Sequence, residues 1–150
     1  MTLSATLRRA GPADAAAIAS IHREARAVAM PWLAVVHTPA EVLSYFTSIV
    51  LVQAEVWGVE TREGLVGFAA REGTELDHLY IAPGHWGRGL GRQLLSAVRE
   101  GVPHLTCWTF QRNQNARAFY ESHGFAAIDF TDGSRNEERE PDVRYLWEAA

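Results

Sequence analysis

Leu79-Tyr80-Ile81-Ala82-Pro83-Gly84-His85-Trp86-Gly87-Arg88-Gly89-Leu90-Gly91-Arg92-Gln93-Leu94-Leu95 reads as a strand, a glycine-dense turn and the start of a helix. Glycines at alternate positions 87, 89 and 91 let a backbone approach a ligand closely. The first N–H groups of a helix have no partner within it, and its dipole favours anions. A diphosphate suits such a place, with Arg88 and Arg92 adding charge-assisted contacts. The plain alternative is a tight turn with surface arginines. A dinucleotide-binding turn is the third reading. Against it, the spacing is G-x-G-x-G, not G-x-G-x-x-G, and the preceding run looks antiparallel.

Working outward, Ala5 to Arg9 reads as a short strand ended by Gly11-Pro12. Ala13 to Ala29 is a helix with Ile18, Ile21, Ala25 and Val28 at helical spacing. Thr38-Pro39-Ala40-Glu41 fits a capping box with Pro at the first helical position, opening a helix that carries Val42, Tyr45, Phe46 and Ile49 on one face. Ala54 to Thr61 and Leu65 to Arg71 form a hairpin through Arg62-Glu63-Gly64. Glu75 to Ile81 is a strand, Leu90 to Val98 a helix and His104 to Phe110 a strand. Asn113 caps a helix that runs to His123, with Gly124 just past its end. Phe125 to Phe130 and Val143 to Trp147 are the last strands. The order β-α-α-β-β-β-α-β-α-β-β predicts a mixed sheet flanked by helices. Asp129 to Arg144 is polar and reads as a loop inside the domain.

The 150 residues suit one domain, residues 1–150, at 47% hydrophobic and 21% charged. All 14 basic residues are arginine, which excludes a Walker-A loop and a Schiff-base lysine. The single cysteine, Cys107, excludes an internal disulfide and a multi-cysteine zinc cage. A net charge of −4 argues against a nucleic-acid partner. No metal is expected, because the histidines show no ligand spacing and HExxH is absent. Arg8 and Arg9 in Met1 to Ala10 are followed by no long apolar core, and no run is long enough to span a membrane. The expectation is a protein of the cytoplasm, with no membrane partner and with a homodimer left open.

Asn113-Gln114-Asn115-Ala116-Arg117-Ala118-Phe119-Tyr120-Glu121-Ser122-His123-Gly124-Phe125 is, by itself, an N-capped amphipathic helix. Together with the glycine turn upstream, it resembles the GNAT superfamily of N-acetyltransferases. The family's Q/R-x-x-G-x-G/A is met by Trp86-Gly87-Arg88-Gly89-Leu90-Gly91, where Trp86 replaces the usual Gln or Arg. Its N-x-x-A-x-x-F-Y-x-x-x-G-F is met in full by Asn113, Ala116, Phe119, Tyr120, Gly124 and Phe125. The resemblance implies an α/β (α+β) fold: a splayed central sheet of about seven strands with about four helices, and acetyl-CoA lying in the splay. By position, Leu79, Tyr80 and Ile81 would pair with the pantetheine arm. Gly87, Arg88, Gly89, Leu90, Gly91 and Arg92 would hold the pyrophosphate. Asn113 would contact the arm, and Tyr120 would sit beside the sulfur. A phenol with a pKa of about 10 suits protonation of a departing thiolate.

The implied reaction is direct attack of a primary amine, on a small molecule or peptide, upon the thioester. A base must take the ammonium proton. Glu75 and Asp77 alternate onto one strand face and are the candidates, although both also read as solvated edge carboxylates. His78 points the other way, as a satisfied core histidine or a residue that touches the acceptor. Trp32 is the other expected acceptor contact. Cys107 reads as a small buried hydrophobe and Trp108 as core or pocket wall. In the resembled family the acceptor is set by the first helices and the late strands, here Arg23 to His37 and Thr131 to Arg144. For the second of these a solvated loop is the favoured reading. The rival function is a non-catalytic acyl-CoA-binding regulatory module on the same fold, which an intact Tyr120 disfavours.

Overall fold

The computed structural model describes residues 4–150; Met1 to Leu3, part of the stretch read for a targeting signal, lie outside them. The strands are β1 (Thr6–Arg9), β2 (Glu55–Thr61), β3 (Gly64–Glu72), β4 (Glu75–Ile81), β5 (His104–Phe110), β6 (Ala126–Phe130) and β7 (Asp142–Glu148). The helices are α1 (Ala15–Ala29), α2 (Pro39–Tyr45), α3 (Leu51–Gln53), α4 (Leu90–Arg99) and α5 (Gln114–Ser122). Residues Phe46–Val50 join α2 to α3 as a π-helical turn, so four helical rods flank one seven-stranded sheet. The sheet order is β1-β2-β3-β4-β5-β7-β6. Every neighbouring pair is antiparallel except β4 and β5, which makes the sheet mixed as expected.

Alternation along the strands feeds two cores, one on each face of the sheet. Phe68 and Ala70 of β3 meet Ile18 and Ile21 of α1, and Val42, Phe46 and Val50 of the second rod. Ala69 of β3 meets Leu90, Leu94, Leu95 and Val98 of α4, together with Leu105 and Cys107 of β5. No helix among the described residues is long and apolar enough to cross a membrane.

Three details depart from the periodic reading. A 3-10 turn at Pro12–Asp14 precedes α1, because the Asp14 carboxylate accepts from the Gly11 N–H at 2.9 Å and from Arg8 at 2.8 Å. Val28 is 56% exposed and leaves the apolar face of α1, whereas Ile18, Ile21 and Ala25 are buried. In the second rod, the wider π turn moves the inward position from Ile49 to Val50, so Ile49 faces outward, while Tyr45 at the rim keeps its ring against Phe46 and His78.

The region that positions the site is the fork between β4 and β5. Glu75 pairs with Thr106, and the Thr106 N–H reaches the Thr74 carbonyl at 2.9 Å. Among the described residues that is the one rung between these strands. Beyond it β4 stays with β3 and β5 stays with β7. A bulge marks the same place. Ala70 pairs with His78 and Arg71 with Leu76, which leaves Asp77 as the extra residue on β4. Simple alternation therefore fails at Asp77, and Glu75 and Asp77 are not equivalent members of one face.

Candidate active site

The fork opens into a cleft of about 1480 Å³ walled by β4, β5, the start of α4, α5, α1 and the β6–β7 segment. Twelve of the residues singled out from the sequence line it: Asp77, His78, Leu79, Tyr80, Ile81, Gly87, Gly89, Leu90, Gly91, Arg92, Asn113 and Tyr120. Glu75, Arg88 and Trp32 do not.

The turn between β4 and α4 is built for close approach. Gly87 and Gly89 have φ of 78° and 76°, the left-handed region that other residues enter only at a cost. A side chain at Gly87 would meet no protein atom within 4 Å, so the space above the turn is free. Trp86, which stands where the family pattern has Gln or Arg, donates its indole N–H to the Ile81 carbonyl at 2.7 Å and braces the turn against the end of β4. Arg92 lines the cleft. Arg88 instead bonds His85 Nδ1 at 3.2 Å, so of the two arginines proposed for phosphate only Arg92 faces the cleft.

Asn113 caps α5 by accepting from the Ala116 N–H at 3.2 Å. This positions the helix so that Tyr120 is buried against the β5 face near Cys107. Burial first, then the neighbouring Cys107 and Tyr80, raise the Tyr120 pKa well above the ordinary range, so the phenol stays protonated. Cys107 is buried as expected, and its thiol is pushed up to about 12 by burial and the charge of Glu75.

The two candidate carboxylates differ. Glu75 is tied down: Thr106 Oγ1 donates to it at 2.7 Å and Arg144 at 3.2 Å. It is a clasp at the fork, not a cleft residue. Asp77 opens into the cleft with no ion pair among the described residues. Partial desolvation, then the charges of Glu75 and Glu72, push its pKa up to about 6. His78 lies on the α1 side among His22, Phe46, Phe68 and Tyr80. Its Nε2 meets Tyr45 Oη at 2.9 Å, and burial and Arg26 lower its pKa to about 4. It is therefore a packed histidine that also edges the cleft. Trp32 packs edge-on to Phe110 and under Arg112, whose guanidinium lies 4.3 Å from the ring centre.

The polar segment after β6 is a loop, exposed at Asp132, Ser134, Arg135, Glu137 and Arg139, that also forms a wall of the cleft. Thr131, Asp132, Ser134, Arg135, Asn136 and Glu138 line the cleft. The composition of this stretch concealed that, because a wall held by ion pairs and a solvated loop share the same residues. Arg26, Met30 and Arg144 also line the cleft and carried no motif. Among the described residues no cluster of three or more metal-ligating side chains occurs.

Residues 52–127 match the family model described as the acetyltransferase (GNAT) domain. The chain is 36% identical over 80 residues to peptidyl-lysine N-acetyltransferase YiaC of Escherichia coli, a match that covers 53% of this chain and 55% of the relative. The chain thus spans about half the length of the curated relatives it matches. The solution structure of apo YjaB from Escherichia coli superposes with a TM-score of 0.79 at 22% identity, covering 98% of this chain and 99% of that one. PaiA N-acetyltransferase from Thermoplasma acidophilum, solved with coenzyme A, superposes with a TM-score of 0.79 at 19% identity, covering 97% and 99%. The chain belongs to the GNAT acetyltransferase family.

Proposed function

We propose that the chain moves the acetyl group of acetyl-CoA directly onto a primary amine, with both substrates held in the cleft at once. The fork carries this reading. Parting from β5 leaves Leu79, Tyr80 and Ile81 with one backbone edge free, where the amides of a pantetheine arm can bond as a strand would. The amino end of α4, with Gly87, Gly89, Gly91 and Arg92, suits the pyrophosphate at the end of that arm. Tyr120 lies in the same cleft. A solved structural neighbour holds coenzyme A, and the relatives from Escherichia coli are named for lysine side chains in peptides, which makes such an amine the first acceptor to test.

In this mechanism the amine lone pair forms the new N–C bond at the thioester carbon, and the C–S bond breaks. The oxygen charge that develops meanwhile suits a backbone N–H of β4. Tyr120 gives its proton to the departing sulfur. The nitrogen, entering as an ammonium, sheds two protons. Asp77 takes one, and the other restores Tyr120 through solvent. A carboxylate with a pKa near 6 is ionised at neutral pH and is a better base than an unperturbed one. Glu75 acts through Asp77: held by Thr106 and Arg144, it keeps a negative charge nearby.

Thiol release from acetyl-CoA over a panel of primary amines that includes a lysyl tripeptide tests the reading. Release that requires the amine is expected. Tight acetyl-CoA binding by calorimetry with no release on any amine would point to the non-catalytic acyl-CoA-binding module. No acetyl-CoA binding would overturn both.

A further inference from the structure

An ion pair joins three walls of the cleft. Arg26, on α1, donates to Glu138 Oε2 at 2.9 Å from one nitrogen and to the Tyr80 hydroxyl, on β4, at 3.1 Å from another. Both partners of the ion pair line the cleft, and their side chains are only 23% and 16% exposed. The β6–β7 segment that presents Glu138 is fastened on either side of it. Glu137 meets His37 at 2.6 Å and Glu140 meets Arg112 at 3.5 Å. Within the segment, Asn136 Nδ2 donates to the Glu140 carbonyl at 2.7 Å, and Asn136 Oδ1 accepts from the Glu140 N–H at 3.2 Å. Beside the bridge, Ala25 and Ala29 of α1 and Met30 just beyond its end give the cleft an apolar wall, and β4 offers the Asp77 carboxylate.

We propose that the Arg26–Glu138 bridge is the specificity gate for the acceptor, admitting an unbranched primary alkylammonium and turning away branched or aromatic amines. The proposal rests on the transferase reading above and names the acceptor class for that same site. A slim chain can lay its methylenes along Ala25, Ala29 and Met30 and bring its charged end toward Asp77, leaving the bridge intact. A broad amine has to part the pair. Parting it leaves two charges in a largely shielded place without their partner, which is far costlier than the pair was worth. Arg26 and Glu138 are positioning residues here: they shape the path of the acceptor and take no part in bond making.

The test compares kcat/KM for n-pentylamine and cyclohexylamine in the full chain with acetyl-CoA. The wild type should favour n-pentylamine. Glu138→Ala and Arg26→Met should each lower that preference by roughly tenfold, within the range by which pocket shape discriminates aliphatic groups. Arg26→Lys, which can still reach an acid, should retain much of it. Acetyl-CoA affinity by calorimetry should not change in any of them, which separates a gate from general loosening of the fold. A wild type that acetylates both amines equally, or variants that keep the wild-type ratio, would overturn the gate and leave the transferase reading standing. A wild type that acetylates no amine overturns the transferase reading, and the gate with it.

Discussion

Two side chains in the cleft are held in opposite protonation states, and each state fits one half of the proposed transfer. Asp77 has its pKa raised to about 6 by partial desolvation and the carboxylates of Glu75 and Glu72. Between its ordinary value and 6 the folded protein holds a proton that the unfolded chain has released. Above 6 it is a carboxylate ready to accept. In the proposed mechanism kcat/KM for an amine should therefore climb as pH rises through 6. In Asp77→Asn that step should vanish and the plateau should fall by about 100-fold, a usual value for a lost acid–base group. A profile identical to wild type would exclude Asp77 and leave solvent as the base. Tyr120 is held protonated well above its ordinary range. Tyr120→Phe should reduce kcat by about 100-fold with acetyl-CoA affinity little changed, since only the leaving-group proton is lost. Steady-state kinetics beside calorimetry reads both numbers. Thr106→Val belongs with these: it removes the 2.7 Å bond to Glu75 and should loosen the clasp at the fork, so it acts on the same electrostatic unit as Asp77→Asn.

At the scale of elements, the turn from β4 into α4 carries the clearest consequence. Gly89 has φ 76°, and a Cβ there meets only Arg92 at 3.6 Å, an ordinary contact. Gly89→Ala should thus cost about 1 kcal/mol from backbone strain alone, read as a shift in chemical denaturation. Gly89→Glu adds a carboxylate where the pyrophosphate is proposed to lie and should abolish acetyl-CoA binding beyond that cost. Binding that survives it would move the cofactor elsewhere. This turn was legible in the sequence because glycine is nearly obligatory for such φ values. The helix of Asn113 was legible because its cap and Gly124 mark both ends. The bulge at Asp77 was not, because an extra residue in a strand leaves no mark in an alternating pattern of Glu75, Leu76, Asp77 and His78. The π turn at Phe46–Val50 was hidden for a related reason: both Ile49 and Val50 are apolar, and only packing decides which turns inward. Glu138 and Arg26 lie 112 residues apart, and no local pattern joins them.

For the whole molecule, the core on the α1 face contains two histidines, and they link its stability to acidity. His22 stands edge-on to Phe46, Tyr80 and His78, with ring centres 5.0 to 5.6 Å apart. Its Nδ1 and that of His78 are buried with no partner among the described residues. Burial first, then the charges of His78 and Arg26, lower the His22 pKa to about 3, and burial and Arg26 lower that of His78 to about 4. Both rings are therefore neutral in the folded protein at pH 5, while in the unfolded chain both are charged below about 6.5. The unfolded state binds more protons throughout that window, so stability falls as pH drops through it. From pH 6.5 to 5 each histidine withdraws about 2 kcal/mol. Asp77 acts in the opposite sense, since its raised pKa favours the folded state as it takes up a proton, but it is exposed and offsets only part of the loss. Asp14, with its pKa lowered by Arg8, loses its contribution only below this window. Thermal unfolding should show a clear fall in Tm between pH 7 and pH 5. His22→Gln should lower Tm at pH 7, because a packed ring is lost, yet flatten the dependence on pH by more than half, since the Asp77 offset then acts against a single histidine. A Tm in the variant that falls as steeply as in wild type would mean that His22 does not titrate on unfolding, and that the acid sensitivity of this core comes from His78 alone.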